Sequence, residues 1–264
     1  MAPNGDSADV YTFGTTPDAA RRLELLADLF APRTRDLLAR WVPTAPAHAV
    51  DLGCGPGRTT RLLHEVTGAA RTTGVERSAE FLARARARTV PGVGFVEADV
   101  TRAPLPVEPA DVVHARFLLT HLAAPQAAIA GWARTLTAGG RLLLHEVAAL
   151  DSADPALHRY YELVADLQRH HGQALDIGGR LAALGETAGL VVVDSCVVRW
   201  RPDAAAMAGL HVLNLRTWRH DPFVLDAVDP AELDALDADL VAIARGRECA
   251  PVEQSLAAAV LAAT

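Results

Sequence analysis

The sequence predicts an α/β protein in which a doubly wound sheet is covered by helices on both faces. Short apolar runs rich in β-branched residues alternate with amphipathic helical segments through most of the 264 residues. This alternation is the pattern that builds a mainly parallel sheet. In addition, a glycine-rich turn at residues 53–57 joins the first apolar run to a helix. Turns of this kind form ligand sites at the carboxyl ends of strands.

The composition favours a cytoplasmic protein with a small-molecule partner. The net charge is -7, so a nucleic-acid partner, which needs a basic surface, is not expected. The chain has no lysine, which excludes a Schiff-base or P-loop lysine. Its three cysteines are widely spaced, so we expect no metal site and a reducing compartment. We also expect no membrane partner, because neither a secretory leader nor an apolar run of about 18 residues is evident.

The first 45 residues are expected to form a helical cap ahead of the first strand. The polar N-terminal tail carries Tyr11 and Phe13, and aromatic residues in such a tail indicate that it docks on the fold. Asp18 is the expected N-cap of a helix over residues 19–30. A second helix is expected over residues 33–41.

The glycine turn follows an apolar strand at residues 47–52, and a helix is expected from about Arg58. The turn glycines are Gly53, Gly55 and Gly57. Glycine permits positive φ and close approach of a ligand, and the N–H groups at a helix start favour a polar group. A dinucleotide fingerprint would need a further glycine where Arg58 stands, and Asp51 would repel a pyrophosphate. An acidic residue at this point suits a cationic ligand such as an ammonium or a sulfonium.

Residues 50–57, Val-Asp-Leu-Gly-Cys-Gly-Pro-Gly, resemble motif I of the class I S-adenosylmethionine-dependent methyltransferases. In that family the pattern Asp-x-Gly-x-Gly-x-Gly holds the methionine part of the cofactor. The resemblance therefore implies S-adenosyl-L-methionine as cofactor and S-adenosyl-L-homocysteine as product. The residues that it assigns to this part of the site are Asp51, Gly53, Cys54, Gly55 and Gly57. Apart from its position in the motif, we interpret Cys54 as a small packing residue and not as a nucleophile.

The same resemblance implies that the N-terminal cap covers the cofactor. Its lid candidates are Tyr11, Phe13 and Arg22. For Phe13 and Arg22, simple packing of the cap is the alternative interpretation.

Two further acidic residues follow the second and third strands. The second strand, at residues 72–75, ends at Glu76, where an acidic side chain of a doubly wound fold reaches the ribose hydroxyls. Arg77 is included in this part of the cofactor site, and Ser78 is expected to cap a helix through residue 88. The third strand, at residues 94–97, leads to Asp99 and Val100. The resemblance assigns this pair to the adenine, and turn capping is the alternative for Asp99.

The fourth and fifth strands, at residues 110–114 and 141–147, bring histidines to the expected chemical side of the sheet, with a helix at 125–135 between them. A protein that transfers a methyl group mainly aligns its reactants, and an O–H or N–H nucleophile also needs a base. The candidate bases are His145, His114 and His121, because an imidazole is a competent base near neutral pH. A structural, hydrogen-bonded histidine is the alternative in each case, and proximity alone is sufficient in many transfers. The resemblance places Arg116 beside the cofactor.

Helical segments after residue 151 are expected to close an acceptor pocket. We expect helices at 155–171 and 176–188, a sixth strand at 190–200 and a helical insertion at 202–248. Residues 252–263 are either a strand or a helix, because their alanine-rich sequence suits both. The candidate acceptor-binding residues are Tyr160, His170 and Trp218, with Trp200 as a further wall. Of the neighbouring Tyr160 and Tyr161, one ring is expected in the core and the other near the cap.

The complete prediction is a doubly wound, seven-stranded Rossmann-like methyltransferase sheet with helical N-terminal and C-terminal cap insertions. We expect a cap at 1–45, a cofactor-binding core at 46–200 with a cap helix at about 151–176, and a helical insertion and core end at 201–264. The resemblance, of an actinobacterial small-molecule type, implies O- or N-methylation of a small organic acceptor in secondary metabolism. The alternatives are C-methylation, a cyclase-type reaction, a non-catalytic S-adenosylmethionine-binding protein and a nicotinamide-dependent oxidoreductase. A homodimer is left open.

Overall fold

The computed structural model describes residues 17–42 and 45–263, with the backbone alone for Pro17 and Asp18. Tyr11 and Phe13 lie outside the described residues. The strands are β1 (His48–Leu52), β2 (Arg71–Glu76), β3 (Val93–Glu97), β4 (Ala110–Arg116), β5 (Leu136–Ser152), β6 (Leu190–Trp200) and β7 (Val252–Ala263). The α-helices are α1 (Pro17–Trp41), α2 (Arg58–Thr67), α3 (Ala79–Arg86), α4 (Pro125–Ala133), α5 (Pro155–His170), α6 (Leu181–Thr187), α7 (Ala204–Trp218), α8 (Pro222–Ala227) and α9 (Pro230–Ala244).

Within residues 17–42 and 45–263, seven strands form one sheet in the order β3-β2-β1-β4-β5-β7-β6. The first five strands pair in parallel, and β7 lies antiparallel between β5 and β6. The chain runs from β1 to β2 on one side, whereas β4 lies on the other side of β1. This is a topological switch point, where the diverging loops leave a crevice at the carboxyl ends of the strands. The predicted doubly wound, seven-stranded fold is confirmed.

The N-terminal cap differs from the prediction, because α1 is one continuous helix of 25 residues and not two. Asp18 is therefore inside the helix and is not its cap. Pro32 lies within α1 and lacks the N–H that a helix interior uses. The helix continues because its buried face continues past the proline, from Phe30 to Leu38 and Trp41. Burial of such large side chains contributes about 1.5–3 kcal/mol each, which offsets a lost hydrogen bond.

Residues 252–263 form a strand, which decides between the two predicted alternatives. Helix propensity alone would favour the alanine-rich Leu256–Leu261 segment as a helix. As β7, however, this segment pairs on both sides, with β5 and with β6, and its side chains from Leu256 to Leu261 are buried. Tertiary pairing therefore overrides local propensity.

The helices α5, α7, α8 and α9 pack together as a cover above the β5 and β7 end of the sheet. Both Tyr160 and Tyr161 belong to its core, at 2% and 4% exposure, so the expectation that one ring lies in the core and the other near the cap is wrong. The His211 ring contacts both of them, which explains how neighbouring helix positions are both enclosed. Helix α7 also packs against α1. In the part of the chain that is described, no helix is long and apolar enough to cross a membrane.

Candidate cofactor and acceptor site

The glycine turn has the backbone that the sequence predicts. Gly53, Gly55 and Gly57 have φ angles of 62°, 52° and 77°, which side-chain-bearing residues rarely adopt. A Cβ atom at Gly57 would lie 2.8 Å from the Phe95 ring. The turn therefore needs glycine for its conformation and for its close packing, and it leads directly into α2.

Asp51 supports this turn from below. Its Oδ2 accepts a hydrogen bond from Thr60 Oγ1 at 2.8 Å, and its Oδ1 lies 3.0 Å from His114 Nδ1. The carboxylate thus ties β1 to α2 and β4, and it is 1% exposed. Both of its oxygens already have hydrogen-bond partners within the chain, so the role that the structure shows for Asp51 is to hold the turn in place. A direct contact with a bound cation stays a prediction.

Glu76 joins the end of β2 to the glycine turn. Its Oε2 accepts a hydrogen bond from the Gly55 N–H at 3.1 Å, and its Oε1 accepts from Arg77 and Ser78 N–H groups, both at 2.9 Å. Ser78 caps α3 by accepting from the Phe81 N–H. The Glu76 carboxylate is therefore held by three backbone donors at the edge of a cavity.

Asp99 caps the turn after β3, as the alternative interpretation has it. Its Oδ1 accepts hydrogen bonds from the Thr101 N–H at 2.9 Å and from Thr101 Oγ1 at 2.7 Å. Partial burial alone would raise the pKa of Asp99, but the hydrogen bonds from Thr101 and the charges of Arg77 and Arg102 together lower it. The residue also borders the cavity, next to Val100, so capping and ligand contact do not exclude each other.

These residues surround a cavity of about 1180 Å³, part of it open to solvent, which we call the cofactor cavity. The predicted cofactor residues that line it are Asp51, Gly53, Cys54, Gly55, Glu76, Arg77, Asp99, Val100 and Arg116. Gly57 does not line it and acts through the backbone of the turn. Arg22 of α1 does line it. Cys54 is buried, and burial raises the pKa of its thiol well above the usual value, which suits a packing residue.

A second cavity of about 660 Å³, part of it open to solvent, lies beside the first, and we call it the acceptor cavity. The residues that line both cavities are Arg22, Leu26, Phe117 and His121. Phe117 has a φ of 52°, an unusual value for a residue with a side chain. Among the described residues, this small set of side chains borders the junction at which the two cavities adjoin.

The structure brings one of the predicted acceptor-binding residues to this cavity and leaves the others outside it. Tyr160 lines the acceptor cavity. His170 is exposed and stacks on Phe223 with ring centroids 4.4 Å apart. Trp218 is buried in the core behind Tyr160, at 5.9 Å between centroids, and Trp200 packs against Phe30. An aromatic residue in an amphipathic cap packs into the core more readily than it lines a cavity.

Of the three candidate bases, one borders the cofactor and acceptor cavities. His114 is fully buried against Asp51, and His145 is buried beneath Phe117, with ring centroids 5.4 Å apart. Neither lines the cofactor or the acceptor cavity, which corrects the expectation that strand ends carry them to the reacting atoms. His121 lines both cavities. Burial, together with the charges of Arg22 and Arg77, lowers the pKa of His121 to about 3, so its imidazole is neutral.

Glu146 is a site residue that the sequence analysis missed. It is fully buried on β5, and its Oε1 accepts hydrogen bonds from the Leu118 and Leu119 N–H groups, both at 2.8 Å. Burial raises the pKa of Glu146 to about 8, against the lowering effect of these hydrogen bonds. The carboxyl thereby anchors the loop that follows Phe117. No spacing in the sequence points to this role, because the loop and the strand meet only in the tertiary structure.

Arg116 lies beside this anchor and lines the cofactor cavity. Its Nη1 donates to Thr34 Oγ1 of α1 at 2.8 Å. Burial lowers the pKa of Arg116 to about 10, although the charges of Asp51 and Glu146 act in the opposite direction. The guanidinium therefore stays charged and joins β4 to the N-terminal cap. In the described part of the chain, no three or more His, Cys, Asp or Glu side chains are grouped to hold a metal ion.

Comparison with known proteins identifies the family. Residues 50–144 match a family model described as "Methyltransferase domain". The trans-aconitate 2-methyltransferase of Streptomyces coelicolor is 34% identical over 230 residues, which cover 80% of this chain and 73% of that protein. The chain belongs to the class I S-adenosylmethionine-dependent methyltransferases, and S-adenosylmethionine is its cofactor.

Two further comparisons define the limits of the likeness. The trans-aconitate 2-methyltransferase of Methylobacterium nodulans is 38% identical over 148 residues, 56% of this chain and 55% of that protein. The chain thus spans about half the length of the first curated relatives it matches. The structure of a phosphoethanolamine N-methyltransferase 2 from Haemonchus contortus, solved with S-adenosyl-L-methionine, superposes with a TM-score of 0.59 at 16% sequence identity. The superposition covers all of this chain and 62% of that protein's chain. At that identity the likeness concerns the fold alone.

The residues of the cofactor cavity fit S-adenosylmethionine in chemistry. Cβ atoms at Gly53 and Gly55 would lie 2.8 Å from Leu118 and 3.2 Å from Leu23, which both line the cavity. Glycine at these two positions therefore leaves the backbone open to close approach of a ligand. Glu76 offers a carboxylate at the end of β2 for hydroxyl groups, and Asp99 offers another beside the apolar Val100. These are the partners that a ribose and an adenine need.

Proposed function

We propose that the protein transfers a methyl group from S-adenosylmethionine to a small organic acceptor held in the acceptor cavity. The observation that carries this proposal is the junction of the two cavities, which share the walls formed by Arg22, Leu26, Phe117 and His121. A shared wall at the carboxyl edge of the sheet allows two ligands to meet, whereas a protein that only senses the cofactor needs one cavity.

Within this proposal, the cofactor residues keep the roles that the sequence suggests. Backbone groups of the glycine turn hold the methionine part, Glu76 the ribose hydroxyls, and Asp99 with Val100 the adenine. Arg77 and Arg116 border the same cavity. Tyr11 keeps its proposed place as a lid residue.

Bound S-adenosylmethionine supplies an electrophilic methyl group on a sulfonium with a neutral leaving group. The protein contributes alignment and exclusion of water. His121 is the candidate base that borders the cavity junction, but a pKa of about 3 makes its imidazole a weak base for an alcohol. We therefore propose that His121 positions the acceptor by hydrogen bonding and that proximity is the main source of rate.

The finer features of the function are also proposals. The methylated atom is an oxygen or a nitrogen, and the reaction belongs to secondary metabolism in the cytoplasm. The two curated relatives described above are named for trans-aconitate, which makes this compound one acceptor to test. We propose no nucleic-acid or membrane partner, and a homodimer is tested by measuring the mass in solution.

The experiment is calorimetric titration of the protein with S-adenosylmethionine and S-adenosylhomocysteine, for the wild type, Glu76→Ala and Glu97→Ala. Glu97 is a matched control, because it pairs in register with Glu76 on the neighbouring strand but is exposed and does not line the cavity. We expect Glu76→Ala to bind both ligands at least about tenfold more weakly, because it loses hydrogen bonds to a charged group that contribute about 1.5–3 kcal/mol. We expect no change in affinity for Glu97→Ala. No binding by the wild type would overturn the proposed site.

Acceptors are then screened by following S-adenosylhomocysteine release and the mass of the product. Tight cofactor binding without turnover on any acceptor would favour the non-catalytic alternative. A product without an added methyl mass would favour a cyclase-type reaction.

A further inference from the structure

The acceptor cavity carries little charge. Aliphatic, methionine and phenylalanine side chains form about half of its wall, and among the described residues that line it Arg22 is the one with a permanent charge. Its two histidines, His121 and His211, are neutral, because burial lowers the pKa of each to about 3. No carboxylate appears among these described lining residues.

The residues that the structure does not describe cannot add a cationic side chain to the acceptor cavity. The chain has no lysine, and residues 1–16, 43–44 and 264 contain no arginine and no histidine. A ligand with one carboxylate could be neutralised by Arg22. A second or third carboxylate would be buried without a further cation among the described residues that line this cavity, and an unpaired buried charge is strongly unfavourable.

Three buried amide oxygens that lack a hydrogen-bond donor in the described structure belong to residues that line the same cavity. They are Gln168 Oε1, Asn214 Oδ1 and Gln254 Oε1, and they come from α5, α7 and β7. The orientation of the Asn214 amide follows from its Nδ2, which donates to the Tyr160 hydroxyl at 3.0 Å. A buried acceptor without a donor is unfavourable because its desolvation is not compensated, and folded proteins contain few of them. Three such oxygens on residues that line one cavity are the observation from which we infer a ligand that supplies the donors.

This inference rests on the function proposed above. We propose that the acceptor is a largely apolar molecule, neutral or with a single negative charge, whose hydroxyl or N–H groups donate to Gln168, Asn214 and Gln254. A tricarboxylate such as trans-aconitate has the opposite chemistry, with charge in excess of the one arginine and acceptors facing acceptors. On this inference, the acceptor of this chain differs in chemistry from trans-aconitate, the compound for which its relatives are named.

The test measures calorimetric binding of three kinds of probe to the protein loaded with S-adenosylhomocysteine. The donor-bearing probes are the phenols resveratrol and naringenin. Their fully methylated ethers have the same rings without donors, and trans-aconitate is the polyanionic probe. We expect at least one phenol to bind, its ether to bind about tenfold more weakly because its donors are lost, and trans-aconitate not to bind.

A variant ties this result to the named residues. Gln168→Leu removes one acceptor at nearly constant volume, so we expect weaker binding of the phenol and unchanged binding of the ether and of S-adenosylhomocysteine. Its thermal unfolding temperature should be equal to or above that of the wild type, because a buried group without a donor is removed. A matched control is Gln126→Leu, whose side chain is exposed and bonds to the Thr187 carbonyl outside the cavity.

Two outcomes would overturn the inference. One is binding of trans-aconitate to the loaded protein, and the other is no binding of either phenol or equal binding of a phenol and its ether. Failure of S-adenosylhomocysteine to bind in the first place is a separate result, and it counts against the proposed function instead.

Discussion

Glu146 illustrates how much a single residue contributes to this site. It touches neither of the two cavities, yet its carboxyl holds the Leu118 and Leu119 N–H groups. These groups directly follow Phe117, whose φ of 52° is unfavourable by about 1–3 kcal/mol unless neighbouring contacts enforce it. Glu146 is therefore a positioning residue for the wall between the cavities.

At this scale we predict a pH-dependent effect of Glu146→Gln. The folded-state pKa of about 8 is raised from 4.5 by burial, so the folded protein retains a proton that the unfolded chain loses. The wild type should therefore lose stability as pH rises from about 4.5 to about 8, by up to about 1.4 kcal/mol per pH unit from this group. The glutamine variant does not lose stability in this way, because its amide does not titrate. The free energy of unfolding of the variant relative to the wild type should rise across that range.

The measurement is urea unfolding of both proteins at several pH values between 5 and about 8.5. Glu97→Gln, an exposed carboxyl, serves as control and should follow the wild type. A difference between Glu146→Gln and the wild type that does not change with pH would contradict the assigned cause.

At the scale of elements, the turn between β1 and α2 depends on contacts with two other elements. Its Gly57 packs on Phe95 of β3, and its Gly55 N–H donates to Glu76 at the end of β2. The local sequence predicts the positive φ angles, whereas the contact with β3 follows from the parallel pairing of the strands.

We predict that Gly57→Ala destabilises the protein by about 2–4 kcal/mol, since both its φ and its clash with Phe95 are unfavourable. Gly68→Ala is the matched control. Gly68 also has a positive φ, 64°, but an added Cβ there would meet no atom within 4 Å, so about 1 kcal/mol is expected. S-adenosylmethionine affinity should fall at least tenfold in Gly57→Ala and stay unchanged in Gly68→Ala. Chemical unfolding and calorimetry measure the two effects, and equal losses in the two variants would contradict the argument.

At the scale of the whole molecule, α1 connects the cofactor side of the protein with the acceptor side. It packs against α2 of the cofactor side and α7 of the acceptor side, and it contributes Arg22 and Leu26 to both cavities. The division at residues 45 and 200 stays a prediction, but the caps from both ends of the chain meet over one site.

We predict that Leu26→Trp fills the junction and lowers kcat/KM for an accepted acceptor at least 100-fold, equal to about 2.7 kcal/mol or more. Leu25→Trp is the control, because Leu25 is 43% exposed and should retain nearly full activity. Release of S-adenosylhomocysteine measures both variants. Wild-type activity in Leu26→Trp would show that the two cavities do not meet where the structure joins them.

The sequence by itself determined the fold class, the glycine turn and the family. These features depend on local requirements: alternating apolar runs, glycines with positive φ, and Glu76 and Asp99 at strand ends. Local signals favoured Tyr160, which lines the acceptor cavity, together with His170 and Trp218, which do not line it. A helical pattern does not tell which face meets a cavity and which meets the core.

Only the tertiary structure decided the remainder. It decided that residues 252–263 form a strand, because two neighbouring strands pair with them, and that α1 passes through Pro32, because its buried face continues. It separated His121 from His114 and His145, and it revealed Glu146 and the three amide oxygens. Each of these properties depends on which groups from distant parts of the chain lie beside one another, and burial and hydrogen-bond partners are set only when those parts meet.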